Sequence, residues 1–136
     1  MDLEFFLVDD PDLAQHKFTR EGLVRAESHL LDRHQDKRSA FSDVHLTITM
    51  RYVYFIGETF RRATEGRWVA LPPDPPQRGP ASAIDAEFTP AFYVPQDYLG
   101  VALTRRTGKE ITFVYDIAVR KHEEWVASGR KPSTGR

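Results

Sequence analysis

Apolar positions in this chain recur at two periods, and the period decides each element. After Phe18-Thr19, the residues Leu23, Ala26, Leu30 and Leu31 return at helical spacing and predict a helix that ends near Arg33 to Gln35. Thr19 suits its N-cap, because a threonine hydroxyl accepts a bond from a free backbone N–H of the first turn. Phe18 before the cap and Leu23 within the helix are placed for a hydrophobic staple. From Val44 to Ala63 both periods coexist. Val44, Leu46, Ile48, Met50 and Tyr52 alternate as in a strand, whereas Val44, Ile48, Tyr52, Phe55, Ile56, Phe60 and Ala63 form a helical stripe. About twenty residues without a turn signal exceed an ordinary strand, so one long buried helix is expected. Gly66 fits the C′ position beyond it. Gly57 falls inside that helix, where glycine costs up to ~1 kcal/mol relative to alanine, and so marks close packing of a neighbour.

Leu3 to Val8 is a short apolar run stopped by Asp9-Asp10-Pro11, expected as a strand or a docked extended arm. Arg67 to Leu71 is β-rich and ends at Pro72-Pro73. Asp74 to Ser82 is expected to be a loop, followed by short strands at Ala83–Phe88 and Phe92–Val94. Pro95 can open a helix at N1 that carries Tyr98, Leu99, Ala102 and Leu103 and stops at Thr107-Gly108. Ile111, Tyr115, Ala118, His122 and Trp125 form a further helical stripe, although Ile111–Val119 also alternates and leaves a strand open. The fold expected is α+β: two to four helices packed on a small, mostly antiparallel sheet. It forms a single domain over 1–127, with a disordered basic tail over 128–136. The expected core is Leu23, Leu30, Ile48, Tyr52, Phe55, Ile56, Phe60, Trp68, Leu99, Leu103, Tyr115 and Trp125.

Composition narrows the function. The 136 residues suit one domain, and 40% hydrophobic with 29% charged residues is the balance of a globular chain. The net charge of −1 lacks the basic excess that nucleic-acid binding draws on, so no nucleic-acid partner is expected. Charge is uneven, however. Asp2, Glu4, Asp9, Asp10 and Asp12 make the start acidic, and Arg130, Lys131 and Arg136 make the end basic. The plain account of both is solvated termini. The absence of cysteine excludes disulfides, thiolate metal sites and cysteine catalysis. No basic secretory start and no apolar run of ~18 residues is found, so a cytoplasmic protein with no membrane partner is expected.

No pattern of polar residues matches a known reaction. The histidines are His16, His29, His34, His45 and His122, and no pair stands four apart around a glutamate as zinc helices require. Asp9-Asp10-Pro11-Asp12 lacks the spacing and turn glycine of a calcium loop. Phosphate-cradling glycine loops and the Gly-x-Ser-x-Gly elbow are both missing. Hence no cofactor, no metal and no catalytic residue is expected, and an enzyme is the less favoured reading.

The most distinctive segment is Phe55-Ile56-Gly57-Glu58-Thr59-Phe60-Arg61-Arg62, followed by Gly66-Arg67-Trp68-Val69. A carboxylate in an apolar helix is costly unless paired. Glu58 has Arg61 and Arg62 at helical spacing, and Trp68 can lid the helix–strand turn. The other reading makes Glu58, Arg61 and Trp68 a polar site for a ligand. Over Tyr54–Val69 this segment resembles small bacterial domains of the polymorphic-toxin immunity-protein type. The resemblance implies a protein that neutralises a toxin by direct binding, and it brings no catalytic motif.

The expected function is therefore a non-catalytic protein-binding module, with a basic toxin domain as the class of partner. Phe5, Phe6, Asp9, Asp10 and Asp12 are the expected contact surface, since an acidic patch steers a basic partner. Two alternatives stay open: a self-associating structural or regulatory subunit, and a small-molecule-binding domain or enzyme with a pocket near Glu58.

Overall fold

The computed structural model describes residues 4–72 and 81–131. Five α-helices run through it: α1 (Arg20–Arg33), α2 (Lys37–Ala40), α3 (Leu46–Thr64), α4 (Pro95–Arg105) and α5 (Glu110–Ala127). Strands β1 (Arg67–Leu71) and β2 (Ala81–Asp85) pair antiparallel, with Val69 opposite Ala83 at the centre of the register. The α+β class holds. The described helices, however, outnumber the two to four expected, and the sheet has only two strands. The core lies mainly between helices. α3 is the central element and packs on α1, α4, α5 and β2.

The long-helix reading of the central segment holds, and the reason is burial on one side. Tyr52, Phe55, Ile56 and Phe60 of α3 are fully enclosed, together with Leu23, Ala26 and Leu30 of α1, Leu99, Ala102 and Leu103 of α4, and Ile111 and Ala118 of α5. Each enclosed large side chain contributes about 1.5–3 kcal/mol of transfer free energy. Ile48, Trp68 and Tyr115 of the expected core are only partly buried but pack against it. Trp125 lies outside it, beside Phe88 and His122 near the end of α5.

Other expectations are corrected by the backbone. Phe5–Asp9, expected as strand or extended arm, is a π-helical turn, followed by a 3-10 turn over Pro11–Gln15. A strand would send Phe5 and Phe6 to opposite faces. A helical turn lets both rings reach one cluster, where Phe5 meets Tyr52 edge-on at 4.9 Å and Phe6 meets Phe55 at 6.2 Å. Strand Ala83–Phe88 is displaced to Ala81–Asp85, and Phe92–Val94 reduces to a single bridge in which Tyr93 pairs with Ile84. Ile111–Val119 is helical throughout. The expected loop Asp74 to Ser82 falls mostly on residues 73–80, and the tail mostly on 132–136, outside the described residues.

Helix ends follow local chemistry. Thr19 accepts from the Gly22 amide at 3.1 Å, as its N-cap role requires. Asp36 does the same for α2, accepting from Ser39 at 2.8 Å. At the end of α3 the left-handed residue is Glu65 (φ 55°) rather than glycine. Gly66 is needed for a different reason: a Cβ there would stand 2.5 Å from Ile84 Cγ2 of β2.

Two helix ends are closed by side chains from distant parts of the chain. Glu27, fully buried on α1, accepts from the backbone amides of Glu110 (3.1 Å) and Ile111 (2.9 Å) at the start of α5. Arg106, just past α4, donates to the carbonyls of Leu31 (2.8 Å) and His34 (2.9 Å) at the end of α1. Each places charge where the helix dipole favours it and fills bonds that the helix cannot make itself. Replacing Glu27 by alanine strands two amides in the interior, and the expected loss is roughly 2–4 kcal/mol of stability. Urea unfolding of Glu27→Ala measures it, and a midpoint equal to the parent's would refute the role assigned to this carboxylate.

Candidate functional site

Four acidic residues of the N-terminal segment, Glu4, Asp9, Asp10 and Asp12, form one network with α1 and α3. Arg51 Nη1 donates to Asp9 Oδ2 at 2.6 Å, and its Nη2 approaches Glu4 at 3.4 Å. Arg33 donates to the Asp9 carbonyl. The Tyr52 hydroxyl donates to Asp10 Oδ2 at 2.5 Å, and His29 Nδ1 lies 2.6 Å from the same oxygen. Burial, and then the bond to Asp10, push the Tyr52 hydroxyl well above its ordinary pKa. Asp12 takes Arg25 Nη1 on both oxygens, at 3.0 and 3.1 Å.

The residues expected to touch a partner are thus committed to the fold in different degrees. Phe5 and Phe6 are core side chains. Asp10 is buried, while Asp9 and Asp12 are tied to arginines. Among the described residues of this segment, the exposed apolar side chains are their neighbours Leu7 and Val8.

Glu58, Arg61 and Trp68 are brought together, as the spacing suggested. Glu58 is 5% exposed, and its carboxylate accepts from Arg61 Nε (2.6 Å) and Nη2 (2.7 Å), Arg62 Nε (2.9 Å) and Trp68 Nε1 (3.1 Å). The Arg61 bond, above all, draws its pKa down to about 2 against the cost of burial, with Arg62 and Trp68 adding to it. Four donors saturate the carboxylate. The Trp68 ring lies flat against Tyr54, with centroids 5.5 Å apart and planes at 8°. It also covers Gly57, where a Cβ would stand 2.1 Å from Trp68 Cη2. Gly57 therefore marks the close approach that its cost in a helix implied.

Beyond Tyr54, α3 turns a row of apolar side chains to solvent. Leu46, Met50 and Tyr54 stand four residues apart, so they share one helix face. Val44, just before the helix, is exposed as well. The row runs on into the Tyr54–Trp68 pair and then to the half-exposed Arg61.

Three grooves lie among the described residues away from this row. One of about 520 Å³ separates α2 from α4 and is lined by Lys37, Asp97 and Arg105 among others. A second, of about 430 Å³, lies near the start of α5 between Arg20, Lys109, Phe113 and Asp116. A third, of about 260 Å³, has Glu65, Arg67, Asp85 and Glu87 as walls. None of the three is lined by Glu58, Arg61 or Trp68. Among the described residues, no helix is long and apolar enough to cross a membrane. Comparison with protein-family models, curated proteins and solved structures gives no match.

The sequence reading missed two features. The exposed row on α3 was hidden because Met50 also fitted a strand alternation. The histidines were tested only against one another, yet Arg25 and His29 stand four apart on α1, one helix face that meets Asp10 and Asp12.

Two outcomes follow from the Glu58 cluster. A carboxyl held below its ordinary value adds stability that is complete above the unfolded value near 4.5 and is lost as pH falls towards 2. Glu58→Gln should lose on the order of 2–3 kcal/mol at neutral pH and little at about pH 2, so its deficit should shrink as the solution is acidified. Urea titrations at several pH values check this, and a constant deficit would count against the ion cluster. Gly57→Ala should destabilise by about 1–3 kcal/mol despite alanine's better helix propensity, because the Trp68 ring must leave its seat. A change in tryptophan emission should accompany it, and unchanged emission with raised stability would show that the ring gives way freely.

Proposed function

We propose that this chain is a non-catalytic protein-binding module of the toxin-immunity type, and that it binds through the exposed face of α3. The observation behind this reading is the row Leu46, Met50 and Tyr54, continued by Trp68 and Arg61. Tyrosine, tryptophan and arginine dominate binding energy at protein interfaces, and rigid ones cost little entropy to dock. Tyr54 is held by stacking on Trp68, and Trp68 by its bond to Glu58. The anchor is therefore set before any partner arrives. Glu58, Arg61 and Trp68 serve this reading as the support of the surface rather than as a ligand pocket.

The acidic N-terminal segment adds less steering than its sequence implies, because Arg25 and Arg51 already offset Asp12 and Asp9. Association with a basic partner should then rest on contact more than on long-range attraction. Charge reversal at Asp9 or Asp12 would also loosen the fold, so the informative variants lie on α3.

The test is capture of the partner from the native cell, followed by titration of the identified protein. Met50→Asp and Tyr54→Ala should each weaken binding about tenfold or more while leaving thermal unfolding near the parent's. A chain that captures nothing beyond what Met50→Asp captures would overturn the reading. Concentration-dependent self-association lost in the same variants would transfer the surface to a second copy.

A further inference from the structure

We infer that Asp10, Asp12 and His29 form a binding site for one divalent transition-metal ion of the zinc class. One donor atom from each of the three lies within 4.8 Å of the other two. Tetrahedral coordination with bonds of about 2.0–2.1 Å needs donors about 3.4 Å apart, so modest side-chain rotation closes the site. One imidazole with two carboxylates suits zinc better than calcium or magnesium, which prefer all-oxygen shells.

The donors come from two ordered elements. His29 projects from α1, and Asp10 and Asp12 flank Pro11 at the start of the 3-10 turn. The turn is pinned by the Asp10 amide, which donates to the Phe5 carbonyl at 2.8 Å, and by the Leu13 amide, which donates to the Asp10 carbonyl at 3.2 Å. Proline fixes the backbone between the two aspartates.

The surroundings are those of an ordered metal shell. Asp10 is 4% exposed and is held by the Tyr52 hydroxyl at 2.5 Å. His29 Nδ1 lies 2.6 Å from Asp10 Oδ2, and its Nε2 lies 3.4 Å from Asp12 Oδ2. The Tyr52 hydroxyl is an outer partner of the kind that fixes ligand orientation in metal sites. The His29 edge is part-exposed and gives the ion a path from solvent. Arg25 competes for Asp12, and its side chain, 39% exposed, also bonds Glu21 at 2.9 Å, a partner that can hold it when Asp12 turns to the ion. An ion here would bind the N-terminal segment to α1 with two carboxylates neutralised together.

The experiment uses the full chain without a polyhistidine tag. Titration with Co²⁺, read by its visible absorption, and with Zn²⁺, read by calorimetry, should give one equivalent, and Zn²⁺ should raise the melting temperature. His29→Gln and Asp12→Asn should each weaken binding about 100-fold, whereas His122→Gln should leave it unchanged. Tyr52→Phe touches no metal and should still weaken it about tenfold, since outer-shell losses are typically 10–100-fold. Circular dichroism identifies any variant that fails to fold, and Asp12→Asn, on the exposed side, then decides. Absence of saturable Zn²⁺ binding by the folded parent, or undiminished binding by folded Asp12→Asn, would overturn the site.

Discussion

The Glu27 carboxylate is the constraint on which the helical packing rests. A fully buried anion is tolerable only where donors are fixed around it, and the start of α5 supplies two amides that would otherwise have no partner. One group thus removes two penalties, an unpaired charge and an open helix end. It also sets geometry. The bonds join residues 83 and 84 positions apart, so α5 can meet α1 at only one height and angle. Arg106 completes the arrangement by closing the end of α1 from the turn after α4. With α1, α4 and α5 fixed in this way, α3 fills the space between them with Tyr52, Phe55, Ile56 and Phe60.

The same principle explains the N-terminal segment. Phe5 and Phe6 enter the aromatic cluster with Phe18, Tyr52 and Phe55, and the acidic residues beside them must then follow the chain down to the surface of α1 and α3. Arg25, His29, Arg33 and Arg51 meet them there. What a sequence shows as a charged, solvated start is, in three dimensions, a strap held at both its apolar and its ionic residues.

Legibility followed the range of the interactions. Local features were open to reading: the Thr19 cap, the Pro95 start, strand Arg67–Leu71 and the Glu58–Arg61 pair all depend on neighbours within a few positions. Gly57 announced a close neighbour, though only Trp68 in place explains which. Features built across the chain were hidden. Glu27 lies among Leu23, Ala26 and Leu30 on an apolar stripe, a clue to a buried charge, but its partners are backbone amides that no side-chain pattern reveals. The Phe5–Asp9 turn was mistaken for extended chain because an apolar run of that length has no period of its own. Among the site residues, the Glu58 cluster was legible, and the α3 row and the His29 contact were not, since exposure and long-range pairing are properties of the folded surface.

Glu65 carries a less obvious consequence. It takes the left-handed turn after α3 that glycine would adopt without strain, and its carboxylate meets His122 at 2.7 Å and Arg130 at 2.6 Å, fastening the far end of α5. The residue accepts a local backbone penalty in exchange for a distant tether. Glycine in its place would ease the turn and cut the tether at once, two changes of opposite sign. The net stability of such a variant would then conceal a freed α5 terminus, and only a measurement of local motion there would distinguish it from a silent change.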